Sequence, residues 1–410
     1  MPFLSLLDDR AKPKGSRDPL GFELIWSHFG RKVIGNLTTI TSSMDNFAVA
    51  ILGFYWANQI VQEDEEESTR HKKVREIFLR YEQLTGYIRY YGNASDIMGI
   101  TRIKTRIHDD DFKITLGLSA EQQILSDQAS YGLWGLYSTA ARDTGLVMGN
   151  ERRITPLGAS IAQSIIKNLG SESVVLYSMI GTNKTLVKDK LKGLGKKLIK
   201  AIHHQNVQEP LLEALMAGND PDGVQNELWL ITKKIFSSKV KHPESVDEFI
   251  KIALENNPSE KLRDYIHDIM NIERVLVASN NIFHYCRRKD GESVNEITST
   301  LKGRYKYNHL PNQLPKSDFS RREQLSTILH AISNNEIPQV ISLLMQLNKD
   351  VMQQRSGAPW VEIESGKTIR VKVKSETAEL RSQKNIEQKW DYDYFLGSFL
   401  NIARLQLSNK

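Results

Sequence analysis

The residues of this sequence best suited to a definable chemistry are clustered cations. Two adjacent arginines follow a Gly149-Asn150 pair, and residues 183–204, NKTLVKDKLKGLGKKLIKAIHH, form the most basic segment of the chain. Lysine and arginine side chains bind nucleic-acid phosphates, and each contact releases counterions, so such binding weakens with added salt. The predicted nucleic-acid contacts are Arg142, Arg152, Arg153, Lys184, Lys188, Lys192, Lys196, Lys197 and Lys200.

A second aromatic and cationic pattern lies earlier in the chain. Residues 74–91 have helical periodicity, and Arg80, Arg89, Tyr87, Tyr90 and Tyr91 interleave cations with aromatic rings. Proteins that bind single-stranded nucleic acid combine charge with stacking in this way. An ordinary amphipathic helix with tyrosines at its rim explains the same pattern, and it is the favoured interpretation.

Three acidic groups are candidates for metal chemistry, and none has a convincing ligand set. Asp109-Asp110-Asp111 are consecutive, so their side chains point apart on a strand or loop. The doublet His267-Asp268 is similar to that of metal-dependent phosphohydrolases, which also need separate histidine and aspartate ligands. His203 or His204 could nominally serve as the histidine, but both lie in the lysine-rich segment. Glu362 and Glu364 lack an upstream aspartate, although a metal-dependent nuclease using them is kept as an alternative. The sequence predicts no catalytic residue, metal or cofactor, and favours a protein that is not an enzyme.

The composition is that of a globular protein with a modest basic excess. The 410 residues suggest two to three domains, and the formal net charge of +6 favours anionic partners. The single cysteine, Cys286, excludes an internal disulfide and a cysteine-rich zinc site. The first residues have no signal-peptide pattern, and the apolar run at residues 47–60 is too short and too polar to span a bilayer. We therefore expect a cytoplasmic protein without membrane contact.

Residues 130–167 contain signals for a helix, a hairpin and a second helix. The apolar residues from Leu133 to Thr144 recur at three- and four-residue spacing, and Gly145 is placed to end that helix. Gly149-Asn150 suits a tight turn between two short strands. Thr155-Pro156 then provides an N-cap with proline at the first helical position.

This order of elements resembles the second half of a winged-helix domain. The resemblance implies a recognition helix over residues 131–144, a wing carrying Arg152 and Arg153, and binding to duplex DNA. The helix positions predicted to face outward are Gly135, Ser138, Thr139 and Arg142, which include one cation. Docking of a protein partner through the same unit is therefore an open alternative.

The remaining chain is predicted to be mostly helical. Periodic apolar residues extend from residue 209 to 350, and residues 360–374 alternate as a two-stranded hairpin before a C-terminal helix. The predicted fold class is mainly α, multi-helical, with a winged-helix-like unit and a small C-terminal β-hairpin. The predicted segments are 1–62 (helical), 74–170 (with the winged-helix-like unit), 171–204 (basic and amphipathic), 205–355 (helical) and 356–410 (hairpin plus helix).

Taken together, residues 26–36, the GLWGLY motif at residues 132–137 and the APW motif before the hairpin resemble uncharacterised proteins of prokaryotic phage-defence clusters. The resemblance implies an accessory subunit of an antiviral complex, with catalysis supplied by another subunit. The first hypothesis is a non-catalytic subunit that binds DNA or RNA, with DNA preferred. The alternatives are a protein-interaction scaffold without nucleic-acid contact and the metal-dependent nuclease.

Overall fold

A computed structural model of the chain describes residues 18–61, 66–109, 112–181, 185–238, 242–374 and 380–408. In this part of the chain the structure is mainly helical, with two small antiparallel sheets of two strands each. One of the sheets is a hairpin near the C-terminus. The predicted fold class of a multi-helical chain with a small C-terminal hairpin is therefore confirmed.

The elements are, in chain order, α1 (Glu23–Arg31), α2 (Met44–Ile60), α3 (Glu67–Tyr91), α4 (Ile100–His108), α5 (Gln128–Tyr131), α6 (Leu133–Asp143), β1 (Val147–Met148), β2 (Arg153–Ile154), α7 (Pro156–Leu169), α8 (Glu172–Ile180), α9 (Lys188–Ile202), α10 (Gln205–Ala217), α11 (Val224–Ser237), α12 (Val246–Glu255), α13 (Glu260–Cys286), α14 (Val294–Arg304), α15 (Arg322–Ser333), α16 (Ile337–Gln354), β3 (Val361–Glu364), β4 (Thr368–Val371), α17 (Gln383–Gln388) and α18 (Leu396–Leu407).

The described residues form two compact units, each built from separate parts of the sequence. Unit 1 contains residues 18–33 and 242–396, and unit 2 contains residues 34–238 and 397–408. The short helix α1 belongs to unit 1 because it packs on the long helix α13. The five-segment division predicted from the sequence stays a prediction.

Helix α2 is the centre of unit 2. It is apolar on all sides, so it buries nearly its whole surface against α3, α6 and α7. The Ser43 hydroxyl caps the helix by accepting a hydrogen bond from the Asn46 backbone N–H at 3.2 Å.

A buried carboxyl group fixes the start of α6 in unit 2. Glu82 of α3 accepts a hydrogen bond from the backbone N–H of Leu133, the first residue of α6, at 2.6 Å. Its other oxygen accepts one from the Gln128 amide at 2.9 Å. Burial raises the pKa of Glu82 to about 7. A Cβ atom at Gly132 would lie 2.5 Å from the carboxyl oxygen, so glycine is required for this approach.

The backbones of α3 and α9 meet directly at a pair of glycines. A Cβ atom built on Gly195 of α9 would lie 2.6 Å from the Gly92 backbone nitrogen, and one on Gly92 would lie 2.7 Å from the Gly195 carbonyl oxygen. Neither distance accommodates a methyl group. Gly193, two residues before the contact and on the exposed side of α9, has no neighbour within 4 Å of a built Cβ.

We therefore expect opposite effects from two alanine substitutions in α9. Gly195→Ala should lower the free energy of unfolding by about 1–3 kcal/mol, because the methyl group forces the two helices apart. Gly193→Ala should leave it unchanged or raise it by up to about 1 kcal/mol through helix propensity. Urea unfolding followed by circular dichroism measures both, and equal effects would contradict the proposed contact.

Helix α13 is the longest described helix and organises unit 1. It packs against α1, α15, α16 and α17, and α16 in turn contacts α14, α15 and β3. Its second half, from Val275 to Phe283, is buried at every position, as expected for a helix enclosed by neighbours. Pro338 lies in the first turn of α16, a position that proline favours because its missing N–H would have no partner within the helix.

A second buried carboxyl group, Glu273 of α13, holds the segment that precedes α18. One of its oxygens accepts hydrogen bonds from the backbone N–H groups of Asp391 and Tyr392, the latter at 3.2 Å. The other accepts one from the Tyr394 hydroxyl at 2.7 Å. Tyr394 and Phe395 both have positive φ angles, of 52° and 64°, a conformation that bulky residues rarely adopt. The three hydrogen bonds to Glu273 offset this strain.

Burial raises the pKa of Glu273 to about 8 from an ordinary value of 4.5. Between these values the folded protein holds a proton that the unfolded chain releases. The contribution of Glu273 to the free energy of unfolding is therefore fully present below pH 4.5, decreases as the pH rises, and is lost above about pH 8. Glu273→Gln keeps the shared acceptor oxygen and places an amide donor at the Tyr394 hydroxyl, without a titrating group.

We expect the free energy of unfolding of Glu273→Gln to exceed that of the wild type by an amount that grows between pH 4.5 and 8 and then levels off. The slope should reach at most about 1.4 kcal/mol per pH unit, the value for one proton. Urea titrations across this pH range measure it. Glu255→Gln, at an exposed position of α12, is the control. A pH-independent difference would show that Glu273 is ionised throughout this range.

Candidate nucleic-acid interface

Helix α9 presents its lysines to solvent. Its buried side consists of Leu191, Leu194, Gly195, Leu198, Ala201 and Ile202. Lys188, Lys192, Lys196 and Lys200 follow one another at four-residue spacing, and we call them the lysine row. Residues four apart lie on the same side of a helix, so the row forms a line of cations about 18 Å long. Lys188 is half-buried and the other three are exposed.

Some of these lysines have partners within unit 2. Lys192 forms an ion pair with Asp189 at 3.4 Å, and Lys197 pairs with Glu172 of α8. Lys188 donates a hydrogen bond to the Asp109 backbone oxygen at 3.3 Å. Such exposed pairs contribute about 0–1 kcal/mol, so phosphates can displace them. Among the described residues, no carboxylate lies within ion-pair distance of Lys196 or Lys200. Lys184 lies outside the described residues.

Lys190 was omitted from the predicted contacts, although it is an exposed lysine of the same helix. It is exposed on α9, and the described part of the chain contains no ion-pair partner for it. A helical-wheel comparison of the whole segment would have included it, because it is not on the buried side.

The helix, hairpin and helix of the winged-helix-like unit are present in the predicted order as α6, the β1–β2 hairpin and α7. Thr155 caps α7 by accepting a hydrogen bond from the Gly158 N–H at 3.1 Å. Gly135 and Thr139 of α6 are exposed, as expected. Ser138 was predicted to face outward, and this was wrong. It is buried, because α6 packs against both α2 and α3 over a wide part of its surface.

The three arginines of this unit each have a partner close by. Arg142 forms an ion pair with Asp143 at 3.2 Å, and Arg153 pairs with Glu151 at 2.6 Å. Arg152 adopts a positive φ of 58°, and its guanidinium donates a hydrogen bond to the Asn150 carbonyl oxygen at 2.7 Å. The same group lies 5.5 Å from the centre of the Trp134 ring. Its position therefore holds the hairpin against α6.

The tyrosines of α3 divide into buried and exposed members. Arg89 is buried, and its guanidinium donates hydrogen bonds to Asn46 at 2.8 Å and to the Asp96 carbonyl oxygen at 2.6 Å. Tyr87 is also buried. Tyr90 and Tyr91 are half-exposed, and Lys192 lies 5.8 Å from the centre of the Tyr91 ring. The exposed end of the aromatic pattern therefore adjoins the lysine row.

The acidic candidates do not converge. Glu362 pairs with Lys372 at 2.7 Å and Glu364 pairs with Arg370, both within the C-terminal hairpin region. Asp110 and Asp111 lie outside the described residues. Across the described ranges, no group of three or more histidine, cysteine, aspartate or glutamate side chains is arranged to hold a metal ion. Cys286 is buried, and burial raises the pKa of its thiol to about 12.

These features define a mainly α-helical protein with an exposed row of lysines on one helix. No protein-family model, no curated protein and no solved structure matches the chain. Among the helices described, none combines the length and apolarity needed to cross a membrane.

Because Arg152 is placed to hold the hairpin, its loss should affect stability more than the loss of Arg142, another arginine of the same unit. We expect Arg152→Ala to lower the free energy of unfolding by about 1–3 kcal/mol, through lost hydrogen bonds and the cation–aromatic contact. Arg142→Ala should cost less than about 1 kcal/mol, because both side chains of its ion pair with Asp143 are exposed to solvent. Urea unfolding of the two variants tests this, and the reverse order would contradict the assigned role.

Proposed function

We propose that this protein is a non-catalytic nucleic-acid-binding subunit whose principal contacts are made by the lysine row of α9 to the phosphate backbone. One observation carries the proposal: four lysines recur at four-residue spacing along one helix, and two of them, Lys196 and Lys200, have no acidic partner in the described chain. Such a line of positive charge matches the linear charge of a polynucleotide strand.

The packing of α9 supports this assignment. The apolar side of the helix is buried against α3 and α7, so the lysines are held on a rigid support. Neighbouring lysines of the row are separated by about 6 Å along the axis. Lysine is a point charge without the fork of donors that arginine uses for bidentate base recognition. The proposed binding therefore depends on charge and has little sequence preference.

The proposal assigns a minor role to the winged-helix-like unit. The exposed side of α6 carries one cation, Arg142, which is already paired with Asp143. Arg152 is occupied in holding the hairpin. Recognition of duplex DNA by α6 would need several side chains that are free to contact phosphates and bases. Helix α9 offers more side chains for phosphate contacts than α6 does. Membership of an antiviral defence complex rests on sequence resemblance alone.

Neutralising the lysine row tests the proposal. We expect the combined Lys188→Gln, Lys192→Gln, Lys196→Gln and Lys200→Gln variant to lose at least about tenfold in affinity for labelled oligonucleotides at low salt. The slope of log K against log salt should be shallower by up to about 3 for a single strand or about 3.6 for a duplex, because up to four phosphate contacts are removed. Fluorescence anisotropy between about 50 and 200 mM salt measures both quantities.

The matched control removes four exposed lysines from unit 1, at Lys302, Lys306, Lys349 and Lys384. Both variants lower the formal net charge of +6 by the same four units, so non-specific attraction changes equally. The control should bind like the wild type. Equal losses in both variants, or no binding by the wild type at low salt, would refute the proposal.

A second candidate function is protein docking, which the outward face of α8 favours. Val174, Val175 and Tyr177 are exposed by 70, 44 and 38%, although large apolar side chains usually turn inward. Clustered exposed apolar residues are typical of protein interfaces. This surface would suit a scaffold subunit, and it is compatible with nucleic-acid binding by α9.

A further inference from the structure

We infer that the bound polymer is a single-stranded nucleic acid, whose phosphates follow the lysine row while its bases stack against Tyr90 and Tyr91. The inference rests on the proposed function and deepens it, because it names the form of nucleic acid. The observation behind it is that the half-exposed Tyr91 ring lies beside Lys192, and that the half-exposed Tyr90 ring lies 5.9 Å from Tyr91.

The two features are joined by the glycine contact between α3 and α9. Tyr91 is the last residue of α3, and Gly92 directly follows it. The Gly92 backbone lies against that of Gly195, in the middle of α9, and a Cβ on Gly92 would also lie 3.0 Å from Ile199. The end of α3 is therefore fixed between the first and last lysines of the row. The backbone at the end of α3 cannot move away from α9 without separating the two helices.

The rings of Tyr90 and Tyr91 reach the surface, whereas the other aromatic residues of α3 do not. Phe78, Tyr81 and Tyr87 are all buried. Tyr90 and Tyr91 have ring centres 5.9 Å apart with planes inclined by 67°. Neither hydroxyl forms a hydrogen bond within the described part of the chain. Their exposure therefore serves no polar contact in the fold.

Stacking on these rings distinguishes single strands from duplexes. In a duplex the faces of the bases are covered by neighbouring base pairs, so a ring beside the backbone cannot reach them. In a single strand each base has a free face, and proteins bind such strands by combining a cationic track with aromatic stacking. The Lys192 ammonium lies over the Tyr91 ring, 5.8 Å from its centre, so a base that stacks there displaces this cation and leaves it free to contact the adjoining phosphate.

One acidic residue opposes this binding. Asp189 is highly exposed and forms an ion pair with Lys192 at 3.4 Å. The pKa of the Tyr91 hydroxyl is raised, first by burial, then by Tyr90 and then by the negative charge of Asp189, so this charge lies near the ring. A polyanion must displace this pair. Removing the charge with Asp189→Asn should therefore strengthen binding of the oligonucleotide. This variant tests the inference by an increase in affinity.

The experiment compares one labelled oligonucleotide as a single strand and as a duplex, using the full-length chain and fluorescence anisotropy. We expect tighter binding of the single strand. The double variant Tyr90→Leu with Tyr91→Leu should bind the single strand at least about tenfold more weakly and the duplex unchanged, because leucine retains apolar bulk but cannot stack. The double variant with phenylalanine at both positions should bind like the wild type, and Asp189→Asn should bind more tightly.

Tyr55→Leu is the matched control, since Tyr55 is half-exposed in the same unit and lies on α2, outside α3, α9 and the winged-helix-like unit. It should have no effect. Circular dichroism and urea unfolding establish that each variant is folded. If single strand and duplex bind equally and the leucine variant behaves like the wild type, the stacking inference fails while the proposed function stands. If the wild type binds neither form at low salt, the proposed function itself fails.

Discussion

The arrangement of unit 2 on which the proposed interface depends is the direct contact between the backbones of Gly92 and Gly195. The absence of side chains at these two positions lets α9 lie close against α3, so its leucines reach the core and its lysines remain in solvent. Any side chain at the crossing would separate the helices and expose apolar surface at roughly 25 cal/mol for each Å². The same contact fixes Tyr91 beside the lysine row.

Each unit also relies on one buried carboxyl group from a long helix. Glu82 of α3 accepts the first backbone N–H of α6 in unit 2, and Glu273 of α13 accepts two backbone N–H groups before α18 in unit 1. Burial raises the pKa of both groups. Hydrogen bonds to backbone donors partly compensate this desolvation, and in return they set where the next element starts. Buried acids therefore act here as structural anchors.

A cluster of arginines or lysines in the sequence does not show whether those side chains are free to bind a phosphate. Arg152 and Arg153 are adjacent, yet the first is folded over Trp134 and the second is paired with Glu151. The α9 lysines are long, flexible and mostly exposed, and two of the row have no acidic partner in the described chain. Whether a cation can meet a phosphate depends on the carboxylates and carbonyl groups that tertiary packing brings near it.

The sequence by itself determined the local structure of this protein. Apolar periodicity, the cap at Thr155 and the turn at Gly149-Asn150 depend on neighbours along the chain, and the hairpins and helices predicted for residues 130–167 and 360–374 and the helix after them are present. Those signals also placed the α9 lysines on one helix face, because amphipathicity is a property of a single segment. The outcome for Ser138 was different, since the number of helices packing around α6 is not encoded within α6. Only the tertiary structure decided that Gly195 is a contact, that Arg152 faces Trp134 and that Tyr91 adjoins Lys192, because these pairs join residues distant in sequence and depend on side-chain packing.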